Sequence, residues 1–148
     1  MTDHLPRLFE SDAAIMRIGE GLLARTLPRA EWTHEAHLAA TTYVLLRRPD
    51  VDVDASLGDI IRAYNASVGG VNSDTEGYHE TITRTFLAGV RLFLAEADRR
   101  EPLFELVNDL LRSPIGKRDW PLRFYSPERL FSVEARRSWV RPDRASLP

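Results

Sequence analysis

The sequence predicts an all-α fold, an irregular bundle of five or six helices with an arginine- and aromatic-rich C-terminal wrap. Three observations carry this. Apolar residues recur at i, i+3, i+4 and i+7 along much of the chain, best at Leu57, Ile60, Ile61, Tyr64 and Val68. No convincing strand with the period of two that a half-buried sheet requires appears, although short stretches such as LRFYS could pair locally. Hydroxyl side chains suited to helix caps precede the periodic segments, and prolines follow them.

Taken in order, Ser11 predicts the cap of a first helix carrying Ile15, Ile18, Leu22 and Leu23, ended by Pro28. Gly19 and Gly21 inside it suggest close packing. Thr33 predicts the cap of a second helix through Leu38, Tyr43, Leu45 and Leu46, stopping before Pro49. VDVDA reads as the approach to a third helix, which Gly69-Gly70 breaks. A long fourth helix is expected from about Tyr78 to Asp98, with Ile82, Phe86, Val90, Phe93 and Leu94 inward. Leu103, Leu106, Val107, Leu110 and Leu111 predict a short fifth helix closed by Pro114 and Gly116. RDWPLRFYSPERLF reads as irregular, after which Ser132 predicts the cap of a last helix around Val133 to Trp139.

At 148 residues, with 43% apolar and 28% charged side chains, the chain is expected to be a single helical domain over 1–148. Residues 117–148 are expected to form an arm packed on the bundle. The absence of cysteine excludes disulfides, thiolate metal sites and cysteine nucleophiles. No apolar run approaches the ~18 residues of a membrane span, and MTDHLPRLFESD does not resemble a secretory signal, so no membrane partner and a cytoplasmic location are expected. Net charge is −2, but from Arg112 onward nine basic residues face four acidic ones, against eleven and eighteen before it. That split predicts a tail folded on its own acidic body. Nothing specific points to nucleic acid. Trp120, Phe124 and Phe131 would staple the arm, its arginines would meet the body, and Arg136 and Arg137 would lie on the solvent face of the last helix.

The chemistry concentrates in two motifs. In Glu31-Trp32-Thr33-His34-Glu35-Ala36-His37-Leu38, a cap at Thr33 puts His34 and His37 one turn apart. In Gly77-Tyr78-His79-Glu80-Thr81, His79 opens the fourth helix on the stripe of Ile82, Phe86 and Val90. Imidazole ligates metals only when neutral, and the positive end of a helix dipole disfavours imidazolium. His34, His37 and His79 are therefore expected to hold one divalent transition metal (zinc, iron, nickel or copper), with the open position of a catalytic site. Glu35 and Glu80 are the candidate proton carriers. At i+1 from His34, Glu35 points about 100° away and is expected toward solvent. The loop 64–76, rich in short polar residues, reads first as a solvated connector. Its other reading lays Asn72 and Asp74 over the site as ligand contacts. In the arm, Arg123 and Tyr125 are the candidate ligand contacts, and the arm is expected to close one side of the histidine pocket. No phosphate-binding glycine loop or serine-nucleophile elbow is present.

WTHEAHL, GYHETIT and PLRFYSPERLFS together resemble a family of small, uncharacterised bacterial proteins, over about Glu31 to Trp139. The resemblance implies a shared fold and site, with no activity attached. A second likeness is architectural: helical bundles of the DinB/YfiT type also gather three histidines around one metal ion, at a different spacing. The leading expectation is a mononuclear metal-dependent enzyme acting on a small molecule by hydrolytic or oxygen chemistry. One alternative is a metal-free small-molecule binder using the same pocket. Another is a non-catalytic helical interaction protein, marked by an exposed apolar face. A homodimer stays open.

Overall fold

The structure, a computed structural model, describes residues 5–148. It is all-helical, with no strand among the described residues. The helices are α1 (Asp12–Ala24), α2 (His34–Arg47), α3 (Val53–Ser67), α4 (Glu80–Glu96), α5 (Leu103–Arg112), α6 (Pro127–Leu130) and α7 (Val133–Arg137). Short 3-10 turns lie at Arg29–Glu31, Pro114–Gly116 and Trp120–Arg123. The hydroxyls of Ser11, Thr33 and Ser132 cap α1, α2 and α7, each accepting an N–H three residues on at 3.1 Å.

Three boundaries differ from expectation, each for a local reason. Helix α1 ends at Ala24, four residues before Pro28, because Arg25 adopts the left-handed conformation at φ 60°. The N–H groups of Thr26 and Leu27 then donate back to the Gly21 carbonyl at 2.8 and 3.2 Å. That ending usually takes glycine at the left-handed position. Gly21 instead makes room for the returning chain: a Cβ there would lie 3.0 Å from that of Leu27. Helix α3 starts within VDVDA, where the Asp52 carboxylate accepts the Ala55 N–H at 3.2 Å. Helix α6 lies inside the stretch read as irregular, with Ser126 as its cap and Pro127 in its first turn.

The main core joins α1 to α5 through Ile15, Leu38, Leu57, Val90, Val107 and Leu110. A second cluster places Ile18, Leu22, Ala36 and Tyr64 between α1, α2 and α3. A third belongs to the C-terminal segment, where Tyr125, Leu130, Ala135 and Val140 are buried together against Ile82 of α4. Trp120 is also buried, and its indole crosses α4 at Gly89. Phe131, by contrast, is 63% exposed and staples nothing. Among the described residues Arg137–Asp74 is the ion pair joining residues 117–148 to the rest, beside backbone hydrogen bonds to Thr81 and His79. Each large buried side chain brings ~1.5–3 kcal/mol, whereas an exposed ion pair brings ~0–1. Arg136 and Arg137 are nonetheless engaged, since both reach back to the loop before α4.

Gly89 tests this docking. A Cβ at that position would lie 2.7 Å from the Trp120 ring, closer than real contacts allow. Gly89→Ala should therefore lower thermal stability, with ~1–3 kcal/mol of overpacking exceeding the ~1 kcal/mol helix-propensity gain. Thermal denaturation of the variant measures it. A melt at or above wild type would show that Trp120 does not depend on this contact.

Candidate functional site: a histidine-lined cavity

The Thr33 cap sets the first turn of α2, and with it the two histidines of the first motif. Thr33 is the N-cap, so Trp32 and His37 occupy the two positions that a hydrophobic staple joins across a helix start. Their rings stack, with centroids 3.8 Å apart and planes at 30°. His34 projects differently. Its Nε2–H donates to the Gly116 carbonyl at 2.9 Å, which leaves Nδ1 as the unprotonated nitrogen. The edge of its ring meets Phe86 of α4, with centroids 5.3 Å apart.

His79 is the cap of α4. Its Nδ1 accepts the Ile82 N–H at 3.1 Å, and its Nε2–H donates to the Leu130 carbonyl at 2.7 Å. Histidine is an uncommon cap, and this one holds both α4 and α6 through a single neutral tautomer.

The three histidines line one cavity of about 440 Å³. Trp32, Phe86 and Tyr78 supply its aromatic wall, with Leu38, Ile61 and Ile82 as aliphatic surface. Thr41, Asn65 and Thr83 add uncharged polar groups. Among the described residues no Asp, Glu, Lys or Arg lines it. Burial holds all three imidazoles below their ordinary pKa. The effect is largest at His37, which burial, with the nearby His34 adding to it, lowers to about 3. At neutral pH the cavity is thus an uncharged chamber edged by imidazole nitrogens.

As arranged, the three imidazoles do not offer three free lone pairs. Both nitrogens of His79 are engaged by the backbone, while those of His37 make no hydrogen bond among the described residues. Among the described residues no three of His, Asp and Glu stand so that they could hold one ion. Glu35 is buried rather than facing solvent, is not part of the cavity wall, and has an Oε1 with no hydrogen-bond partner. Glu80 also lies off the wall, taking the Tyr78 hydroxyl at 2.6 Å and Arg84 at 2.7 Å.

The other candidate contacts also stand apart from the cavity. Asn72 is a loop staple: Oδ1 accepts the Tyr78 N–H at 3.1 Å, and Nδ2 donates to the Arg62 carbonyl at 3.1 Å. Asp74 is paired with Arg137. Tyr125 is fully buried, its hydroxyl donating to the Val140 carbonyl at 2.7 Å, and Arg123 is exposed. No residue of the C-terminal segment lines the cavity. That segment backs it instead: Trp120 lies behind Phe86, ring centroids 6.0 Å apart, and Leu130 holds His79. The wall residues Trp32, Phe86 and Asn65 were missed as site residues. Only Trp32 had a local signal, its place before the Thr33 cap.

No protein-family model, curated protein or solved structure matches this chain.

The histidines predict a pH dependence. The unfolded chain takes up a proton at each near pH 6.5, whereas the folded chain does so only at lower pH. Between those values the unfolded state binds more protons, so stability falls as pH drops, by up to ~1.4 kcal/mol per pH unit per histidine. Urea midpoints measured from pH 7.5 to 5.0, above the main carboxylate range, should decline. His37→Phe should flatten part of that decline. A wild-type midpoint constant over this window would show that the imidazoles titrate alike in both states.

Proposed function

We propose that this protein binds an uncharged, planar small molecule in the histidine cavity. One observation carries the reading: a hollow of about 440 Å³ lined by aromatic and imidazole rings, with no charged side chain of the described residues in its wall. The volume lies in the ~300–1,000 Å³ range of small-molecule sites. Placing an ion there would cost desolvation with no opposite charge in the wall to offset it. A flat apolar body would stack in the aromatic part, beside Trp32 and Phe86. A hydrogen-bond donor on that body would be met by His37, which stays an acceptor at neutral pH.

A transition metal is the second reading, favoured by His34. Its Nε2–H is held by a backbone carbonyl and its Nδ1 is bare, the outer-shell arrangement of a ligating imidazole. His34 and neutral His37, one turn apart, would hold zinc, iron, nickel or copper. The metal would supply Lewis acidity for hydrolytic or oxygen chemistry on a bound small molecule. In this form His79 keeps its cap and is not a ligand.

Indole, flat and uncharged with one N–H donor, is the probe that separates these. Titration into metal-free protein should shift the imidazole resonances of His37 and His34 saturably in the millimolar range, with less effect on His79. Absence of saturable shifts would overturn the lead reading. Metal analysis of untagged protein from supplemented medium decides the other. About one equivalent, lost in His34→Ala, supports the metal; protein that stays metal-free on titration with all four ions overturns it.

A further inference from the structure

A second depression, of about 210 Å³, lies beyond Tyr78, which is part of the wall of both hollows. Its chemistry is the reverse of the cavity's. Three guanidiniums line it, Arg62 from α3 and Arg136 and Arg137 from α7, against the single carboxylate of Asp74. Three positive charges less one negative leaves an excess of two. Arg62 is also paired with Asp59, at 3.2 Å from Nη1, a carboxylate that does not line the cleft but brings the local excess to one.

These arginines are held in place with donors to spare. Arg137 grips Asp74 through Nε and Nη2, each at 2.6 Å, a two-point fork on a planar oxyanion. Arg136 spends Nη1 on the Gly77 carbonyl at 2.9 Å. Arg62 lies over the Tyr78 ring, 4.3 Å from its centroid, which fixes the plane of the guanidinium. Each guanidinium carries five N–H groups, and among the described residues Nε and Nη2 of both Arg62 and Arg136 have no acceptor. The cluster thus already holds one oxyanion, the chain's own Asp74, and has the charge for a stronger one.

We propose that this cleft is a phosphoryl-binding subsite, with Asp74 as an internal carboxylate that an incoming dianion displaces from Arg137. The phosphoryl group comes either from free phosphate or from an organic phosphate whose uncharged body enters the adjoining cavity. The second source rests on the function proposed above; the subsite itself does not.

Calorimetric titration of the full chain with inorganic phosphate at low ionic strength tests it. Saturable binding is expected, weakened at least tenfold by Arg136→Ala and unchanged by Arg123→Ala, an exposed arginine outside the cleft. Asp74→Asn is the decisive variant. It leaves Arg137 one acceptor in place of two and removes the competing charge, so phosphate should bind several-fold more tightly, whereas a merely structural ion pair predicts no gain. The Asp74–Arg137 pair is exposed, so the variant should fold, as a thermal melt checks. No saturable binding by wild type or Asp74→Asn, or equal weakening by Arg123→Ala, overturns the proposal. Phenyl phosphate separates the sources: tenfold tighter binding than phosphate, lost in Phe86→Ala, assigns the organic phosphate, and equal affinity assigns free phosphate. Failure of indole to enter the cavity leaves the phosphate result standing.

Discussion

The start of α4 hangs on one imidazole. His79 accepts the Ile82 N–H through Nδ1 and donates to the Leu130 carbonyl through Nε2, so a single ring closes a helix end and ties down a segment fifty-one residues away. Both bonds need the same neutral tautomer, with the proton on Nε2. Losing the ring would leave an orphan N–H at the helix start and an unpaired carbonyl on a buried residue, each costing about 1–3 kcal/mol where water is excluded. The orientation of Ile82 and Phe86 toward the cavity follows from how α4 begins, and the C-terminal cluster around Leu130 follows from where the second bond leads. Asn72 supports the same point from the other side, holding the Tyr78 N–H that leads into the cap.

Two electrostatic environments meet at Tyr78. On one side the rings of Trp32, His37, His34 and Phe86 line a volume with no formal charge, and burial keeps the imidazoles neutral. On the other, Arg62, Arg136 and Arg137 line an open cleft, with Arg137 paired to Asp74 and Arg62 to Asp59. Tyr78 belongs to both: its ring carries the Arg62 guanidinium, and its hydroxyl donates to Glu80, which with burial raises its own pKa. Such a boundary suits a ligand with a flat uncharged part and an anionic part, because each would meet its own solvent substitute. The C-terminal segment contributes to both sides without lining the cavity. Trp120 backs Phe86, while Arg136 and Arg137 form the far wall of the cleft.

Glu35 shows why adjacency in sequence is a poor guide to a site. It stands between the two histidines of its motif, yet it turns onto the buried face of α2 that also carries Leu38, Ala39 and Thr42. Its charge acts on His34 through space, opposing the effect of burial, while its own Oε1 has no hydrogen-bond partner. Glu80, next to His79, is likewise drawn off by Tyr78 and Arg84. Neither carboxylate reaches the chamber that its neighbouring histidine lines.

What the sequence determined by itself was local: an all-helical chain, its caps at Ser11, Thr33 and Ser132, and the apolar faces that became the core. Those features depend on contacts within a turn or two, which spacing and residue type encode directly. The sequence placed His34, His37 and His79 at two helix starts, but that these starts meet at one hollow depends on how α2 and α4 pack. The tertiary structure decided the rest. That His34 keeps a free Nδ1 while His79 keeps no free nitrogen depends on the Gly116 and Leu130 carbonyls, which lie eighty-two and fifty-one residues from their partners. The early end of α1 depends on an arginine taking the left-handed conformation as Leu27 folds back over Gly21. The arginine cleft forms only because α7 returns to the loop before α4. Each of these is a long-range pairing or a backbone conformation that this residue rarely adopts, and composition, spacing and periodicity carry no record of either.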